Sequence, residues 1–264
     1  MKLKLIAAAA LLAATGAANA AIDAGTDGFG DFFFNIWDAN GSYTLDLNLQ
    51  QNTFTAGVAA AGAYSFTQAL AADTLFTSFL ASANQASLQW NLVAVESQAA
   101  RTVHQTLNGA WPATAITNID GRGMVTQIQG FALNRINPSL AGATNSAVFT
   151  AADDGYTGNP GFGTAGFGCG FATYQNFNTC GTLANNSVAT GLGLAVNTFA
   201  ATGALTSLGT VASVLDNGQA LSVYIDSGYN LQIAAVPEPE TYAMLLAGLG
   251  LMGAIARRRR QNQA

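Results

Sequence analysis

The sequence predicts a mainly β, sandwich-like domain with about two helices. An N-terminal signal peptide precedes it and a single short C-terminal transmembrane helix follows it. Three observations carry this prediction. Several runs alternate polar and apolar residues with period two and are bounded by Asn-Gly or Asp-Asn-Gly turns. Between Ala21 and Val236 there is no lysine, three arginines are the only strong bases, and Gly, Asn, Thr, Ser and Ala abound. The two ends are apolar and carry the remaining bases.

Residues 1–20 begin with Lys2 and Lys4, continue in an apolar run from Leu5 to Ala14, and end Ala18-Asn19-Ala20. That order is a secretory leader, with cleavage expected after Ala20 and Ala18 and Ala20 as the small residues the peptidase reads. Residues 21–235 form the expected extracellular β-rich domain, and no Pro-rich or charged linker divides them. Phe32–Trp37 is a β-prone run, Asp38-Ala39-Asn40-Gly41 a turn with Asn40-Gly41 suited to positive φ, and Ser42–Leu49 an alternating strand. Together they predict a hairpin. Gln68–Ser87 is rich in Ala and Leu, with Leu70, Leu75, Phe76, Phe79 and Leu80 mainly at helical spacing, so a helix starting near Asp73 is expected. Leu88–Glu96 reads as a strand. Met124–Ile136 reads as a second helix, with Met124, Ile128, Phe131 and Ile136 on one face and Asn137-Pro138 as its stop.

Ala151–Asn186 is glycine-rich and loop-like and holds the only two cysteines, Cys169 and Cys180. An isolated pair in an exported chain reads as one disulfide, worth roughly 3 kcal/mol for so short a loop on the chain-entropy model. Leu208–Leu215 and Gln219–Asp226 flank Asp216-Asn217-Gly218 and predict another hairpin. Leu231–Ala235 is the last strand.

The final segment, residues 236–264, has three parts. Val236-Pro237-Glu238-Pro239 resists helix because its prolines fix φ and lack N–H donors. Thr241–Ala256 has no charge, and as a helix it would span ~24 Å, short for a hydrocarbon core ~30 Å thick. Arg257, Arg258, Arg259 and Arg260 then form a cytoplasmic anchor by the positive-inside rule, which leaves the body outside. This order resembles the PEP-CTERM protein-sorting signal, a segment also known as the ice-binding protein C-terminal domain. The name belongs to the tail and implies no ice binding by the body. The resemblance implies an exosortase substrate: a chain held in the inner membrane, cut near Pro-Glu-Pro, and passed to the cell envelope or exterior. The Trp37-Asp38, turn, Ser42-Tyr43, Asp46-Leu47 pattern is also similar to the N-terminal part of other PEP-CTERM proteins.

Composition narrows the partners. The three arginines between Ala21 and Val236 face twelve carboxylates, a net charge of −9. Such a body lacks the basic footprint that nucleic acid or anionic lipid requires, so neither is an expected partner. Catalytic and metal chemistry find little support. His104 is the single histidine and no serine sits in a G-x-S-x-G, so no catalytic residue, metal ligand or cofactor is assigned and no enzyme is expected. Asp153-Asp154-Gly155 and Asp38-x-Asn40-Gly41 match no EF-hand loop and read as turns. Trp37 and Trp90 fall in strands, whereas Trp111 before Pro112 is the tryptophan best placed for exposure. The expected processing partners are signal peptidase and exosortase. The expected role is structural or adhesive in exopolysaccharide or biofilm. Two alternatives stay open: a carbohydrate-binding or carbohydrate-active secreted protein, and a plain C-terminally anchored membrane protein.

Overall fold

The computed structural model describes residues 21–61, 64–97, 100–109, 116–140, 145–158, 169, 180–200, 206–216, 218–236 and 252. The expected leader, Trp111, Pro237–Pro239 and Arg257–Arg260 lie outside them, and of Thr241–Ala256 only Met252 is described. Among the described residues no helix is long and apolar enough to cross a membrane.

The elements run β1 (Asp31–Trp37), β2 (Gly41–Gln50), α1 (Gln51–Ala61), β3 (Ser65–Ala69), α2 (Thr74–Ser82), β4 (Gln89–Glu96) and β5 (Ala100–Leu107). After these come α3 (Asn118–Phe131), β6 (Ser146–Thr150), β7 (Leu192–Ala200), β8 (Thr210–Ser213), β9 (Leu215–Asp216), β10 (Gln219–Ile225) and β11 (Asn230–Ala235). One antiparallel sheet holds them in the order β3-β11-β10-β7-β5-β4-β1-β2-β6, with β8 on β7 and β9 on β10. The mainly β class stands. A single curled sheet replaces the two face-packed sheets of a sandwich, because both of its faces are covered by other means.

Alternation along the strands explains the two faces. Phe32, Phe34 and Ile36 point to one side with Tyr43, Leu45, Trp90 and Leu92, and there they share a cluster with Leu221, Val223, Leu231 and Ile233 from the other half of the sheet. Strands distant in the sheet order meet only if the sheet curls around this side. Two helices fill the concavity. Phe54 and Val58, one turn apart on α1, join the cluster, and so do Phe76 and Phe79 of α2. Phe76 touches Tyr43 of β2 and also Tyr229 beside β11, with ring centroids 5.2 and 5.8 Å away. Asp73 fixes where α2 begins. Its Oδ1 accepts from Leu75 N at 2.8 Å and caps the helix where its start was expected, and its Oδ2 accepts from Tyr43 Oη at 2.9 Å.

The opposite face carries Phe33, Val93, Val95, Val103 and Phe199 under α3, whose Met124, Val125, Ile128 and Phe131 are fully buried. Met124, Ile128, Phe131 and Ile136 do share this core, but the last of them sits in a π-helical turn, Ala132–Ile136, rather than in α3 itself. Gly121 of α3 and Gly209 press on the Phe199 ring from different segments, and a Cβ at either would overlap it. Replacing glycine by alanine inside a helix normally gains ~1 kcal/mol. Here overpacking of a buried ring costs about 1–3 kcal/mol. Gly121→Ala is therefore expected to lower the urea midpoint; a raised midpoint would mean that the ring gives way freely.

Two turn expectations need correction. Neither Asn40 nor Gly41 adopts positive φ. The β1–β2 turn is built instead by the Asp38 side chain, whose Oδ1 accepts from Asn40 N at 2.8 Å and Gly41 N at 3.1 Å. The positive φ sits further along β2, at Asn48, where two extra residues bulge opposite Phe32. In the C-terminal hairpin only β9 pairs with β10, while β8 pairs with β7. Gly218 does take the expected positive φ.

Candidate functional site

The strand registers give the sheet two rims, and the candidate sites sort between them. At the lower rim Asp31 lies opposite Gln50, Glu96 opposite Thr102, and Ala100 opposite Ala200. The last strand ends higher in the register: Ala235 lies opposite Leu221, next to the Ser222–Gly193 pair and so near the Leu107 end of β5. Of the four expected sorting residues Val236 is the one described, and its N–H donates to Ala220 O at 2.9 Å. The chain therefore stays hydrogen-bonded to the sheet up to the residue before Pro237.

At the upper rim an open cleft of about 590 Å³ is lined by Trp37, Asp38, Ser87, Gln89, Tyr156 and Thr182, among others. Four segments build it. Trp37 ends β1 and pairs with Gln89 at the start of β4. Tyr156 arrives from the loop after β6, and its hydroxyl donates to Asp38 O at 2.5 Å. Thr182 is held by Trp90, whose Nε1 donates to Thr182 O at 2.9 Å. Burial alone would raise the Asp38 carboxyl, but donation from Asn84, Asn40 and Gly41 amides outweighs it and holds the pKa below the usual carboxylate value. Asp38 is thus a fixed anion that organises two loops. Ser87, Gln89 and Thr182 are exposed along the cleft and present hydroxyl and amide groups. Sequence reasoning missed this place, because no motif links residues 37, 89, 156 and 182.

The other candidates resolve into structure. Cys169 and Cys180 are joined, with Cα atoms 4.9 Å apart, and the next residue, Gly181, pairs with Trp90 through two backbone hydrogen bonds. Trp37 and Trp90 are core residues, 4% and 0% exposed. His104 lies edge-on to Phe32 and Phe54, with centroids 5.5 and 5.9 Å away, and burial pulls its pKa down to about 4. Asp153 Oδ2 accepts from Thr150 N and Oγ1, and Asp154 pairs with Arg135, so this turn spends its carboxylates locally. Among the described residues no three His, Cys, Asp or Glu side chains gather as a metal site would need.

The α3 face also holds a buried polar row that hydropathy does not reveal. Thr44 Oγ1 donates to Asn35 Oδ1 at 2.8 Å, and Asn35 Nδ2 donates to Asn91 Oδ1 at 3.0 Å, across three adjacent strands. Nearby, Asp46 is fully buried. Burial is the main cause that raises its pKa to about 7; the Asn48 amide opposes this, and the charges of Asp31 and Asp23 add to it.

Residues 235–260 match the family model described as the PEP-CTERM protein-sorting motif. The match starts at the last residue of β11 and ends on the last of the four arginines. No curated protein and no solved structure matches the chain. The chain carries this sorting motif, which indicates an exported, membrane-transiting protein processed by exosortase.

Proposed function

We propose that the body, residues 21–235, works outside the cytoplasm as a structural or adhesive component of exopolysaccharide or biofilm, and that it is not an enzyme. In this reading Thr241–Ala256 holds the chain in the inner membrane with Arg257–Arg260 on the cytoplasmic side. Signal peptidase removes residues 1–20, and exosortase cuts near Pro237–Pro239. The observation that carries the reading is the coincidence of the sorting motif with the end of the fold: the match begins at Ala235, where β11 ends. Among the described residues the last strand, β11, ends at Ala235, and Val236 still bonds to Ala220. The net charge of −9 supports a body kept dispersed by like charge.

The upper-rim cleft favours a second reading, a carbohydrate-binding module. Its volume of about 590 Å³ lies within the range of small-molecule sites, and its exposed hydroxyl and amide groups suit neutral sugar hydroxyls. Co-sedimentation of the mature body with exopolysaccharide from its host tests both readings. Under either one the body pellets with the polymer. Under the second, Ser87→Ala combined with Gln89→Ala weakens pelleting several-fold while the urea midpoint stays put. A body that remains wholly in the supernatant contradicts both.

A further inference from the structure

We propose that strand β3 is a docking edge for a second copy of this chain, which pairs with it antiparallel about a two-fold axis and continues the sheet. Three features carry this: the direction of the backbone groups along β3, the absence of charge beside it, and the different finish of the opposite edge.

β3 and β6 are the two ends of the sheet order. In an antiparallel ladder, opposite residues alternate between pairs that exchange hydrogen bonds and pairs that do not. Leu70 N donates to Tyr229 O at 3.0 Å, so in the same register Phe66 and Gln68 turn their N–H and C=O groups to β11. Ser65, Thr67 and Ala69 turn theirs away from the sheet, and all three residues are exposed. The Ala69 C=O accepts the first bond of the 3-10 turn Leu70–Ala72. The other outward groups bond to no protein group among the described residues. Sheet edges are normally blunted by lysine, proline, a bulge or an inward charge. Ser-Phe-Thr-Gln-Ala has none of these, and its ladder with β11 runs without a register shift.

A body of net charge −9 repels a copy of itself over most of its surface. At this end of the sheet β3, β11, β10 and β7 follow one another without a charged residue. The open groups are also self-complementary. With Thr67 opposite Thr67 of the second copy, Thr67 N meets Thr67 O and Ala69 N meets Ser65 O, and the same bonds recur across the axis. Phe66 is half-buried against the concave cluster, and Gln68 of the second copy lies opposite it in this register.

The β6 edge finishes differently. Asp46 N donates to Asn145 O at 2.8 Å, which leaves Ser146, Val148 and Thr150 facing outward. Thr150 is closed by its own turn: its N donates to Asp153 Oδ2 at 2.7 Å, and its C=O accepts from Asp153 N at 3.0 Å. Asp154 follows, so this edge ends in carboxylates. A β3–β6 contact would bring them to the uncharged edge and repeat into an open filament, whereas β3–β3 closes as a dimer.

Disulfide trapping of the full chain in its native host tests this. Thr67→Cys and Val148→Cys place a thiol on either edge, both at exposed positions. The chain's own two cysteines are bonded to each other. Cultures are treated with copper–phenanthroline, which takes the two electrons released when two thiols join, and are run on non-reducing gels. A two-chain band several-fold stronger for Thr67→Cys than for Val148→Cys is expected. Adding Ala69→Pro should abolish it. That change removes an outward N–H at a φ of −76°, which proline adopts, and spares the β11 ladder. Equal bands, no band for Thr67→Cys, or a band that survives Ala69→Pro overturns the proposal. Cross-linking of Thr67→Cys to a different protein instead overturns the choice of a second copy. Light scattering on the unmodified protein from the host gives a reading that depends on no variant: twice the chain mass is expected, and one chain mass overturns the dimer.

Discussion

Trp90→Ala is expected to destabilise the body by about 3–5 kcal/mol, the range for deleting a fully buried large aromatic. Typical domains have only about 5–15 kcal/mol in total, so the variant should be marginal near 25 °C. Three losses combine. The indole is fully buried and leans on Phe34, with centroids 6.2 Å apart. Its Nε1 holds Thr182 O, which loses that partner. Gly181 lies so close to the indole that a Cβ there would overlap it, so the strand bridge that follows the disulfide is shaped around this ring. Trp90→Phe keeps much of the volume and should cost less than half as much. Urea unfolding followed by far-UV circular dichroism measures both; a loss below 1 kcal/mol for Trp90→Ala would contradict the packing described.

Asp46→Asn is expected to stabilise the body at pH 8 by roughly 2 kcal/mol and to destabilise it by about 1–2 kcal/mol at pH 4. The folded pKa of Asp46 is raised to about 7 from an ordinary value of 3.8. Its contribution is therefore fully present below pH 3.8 and is lost as pH rises to 7, about 4 kcal/mol in all. An asparagine cannot ionise and avoids that loss, but its buried amide takes the place of an Oδ2 without a partner and costs about 1–3 kcal/mol. His104 works in the opposite direction. Its folded pKa is lowered to about 4 from 6.5, so its contribution is present above pH 6.5 and is lost as pH falls to 4, about 3 kcal/mol. Between pH 4 and 6.5 the two slopes oppose each other. The wild-type protein should show a nearly flat stability profile there, and Asp46→Asn should expose the His104 slope, rising with pH. Urea unfolding at pH 4, 5.5, 7 and 8 checks this; a wild-type profile that climbs steeply over the window would show that Asp46 does not carry the raised pKa.

The hairpin of β1 and β2, strand β4, the start of α2 near Asp73 and the last strand were legible because local signals and tertiary packing agree there. Phe32–Trp37 is β-prone and Ser42–Leu49 alternates. Asp73 caps a run whose Phe76 and Phe79 lie three residues apart on the buried side. Other elements hide for identifiable reasons. β5 reads Ala-Arg-Thr-Val-His-Gln-Thr-Leu, and its polar His104, Gln105 and Thr106 are buried between neighbouring strands, where hydropathy would place them outside. α1 contains Asn52, Thr53, Thr55 and Gly57, weak helix formers, and is held by Phe54 and Val58 in the concavity rather than by propensity. β3 has Phe66 as its one large apolar residue, and its place beside β11 is set by a strand more than 160 residues away. The single curled sheet could not be told from a sandwich, because both give strands buried on alternating faces. The cleft was invisible for a different reason: Trp37, Gln89 and Tyr156 meet only after β1, β4 and the loop after β6 have come together.

The sorting boundary is the opposite case, since sequence order alone displays it and the fold adds that β11 finishes one residue before Val236. The intact mass of the mature protein recovered from its native host tests the central claim most directly. The account predicts a chain that begins at Ala21 and ends upstream of Tyr242, without Arg257–Arg260; a chain that extends to Ala264 in the mature protein would contradict it.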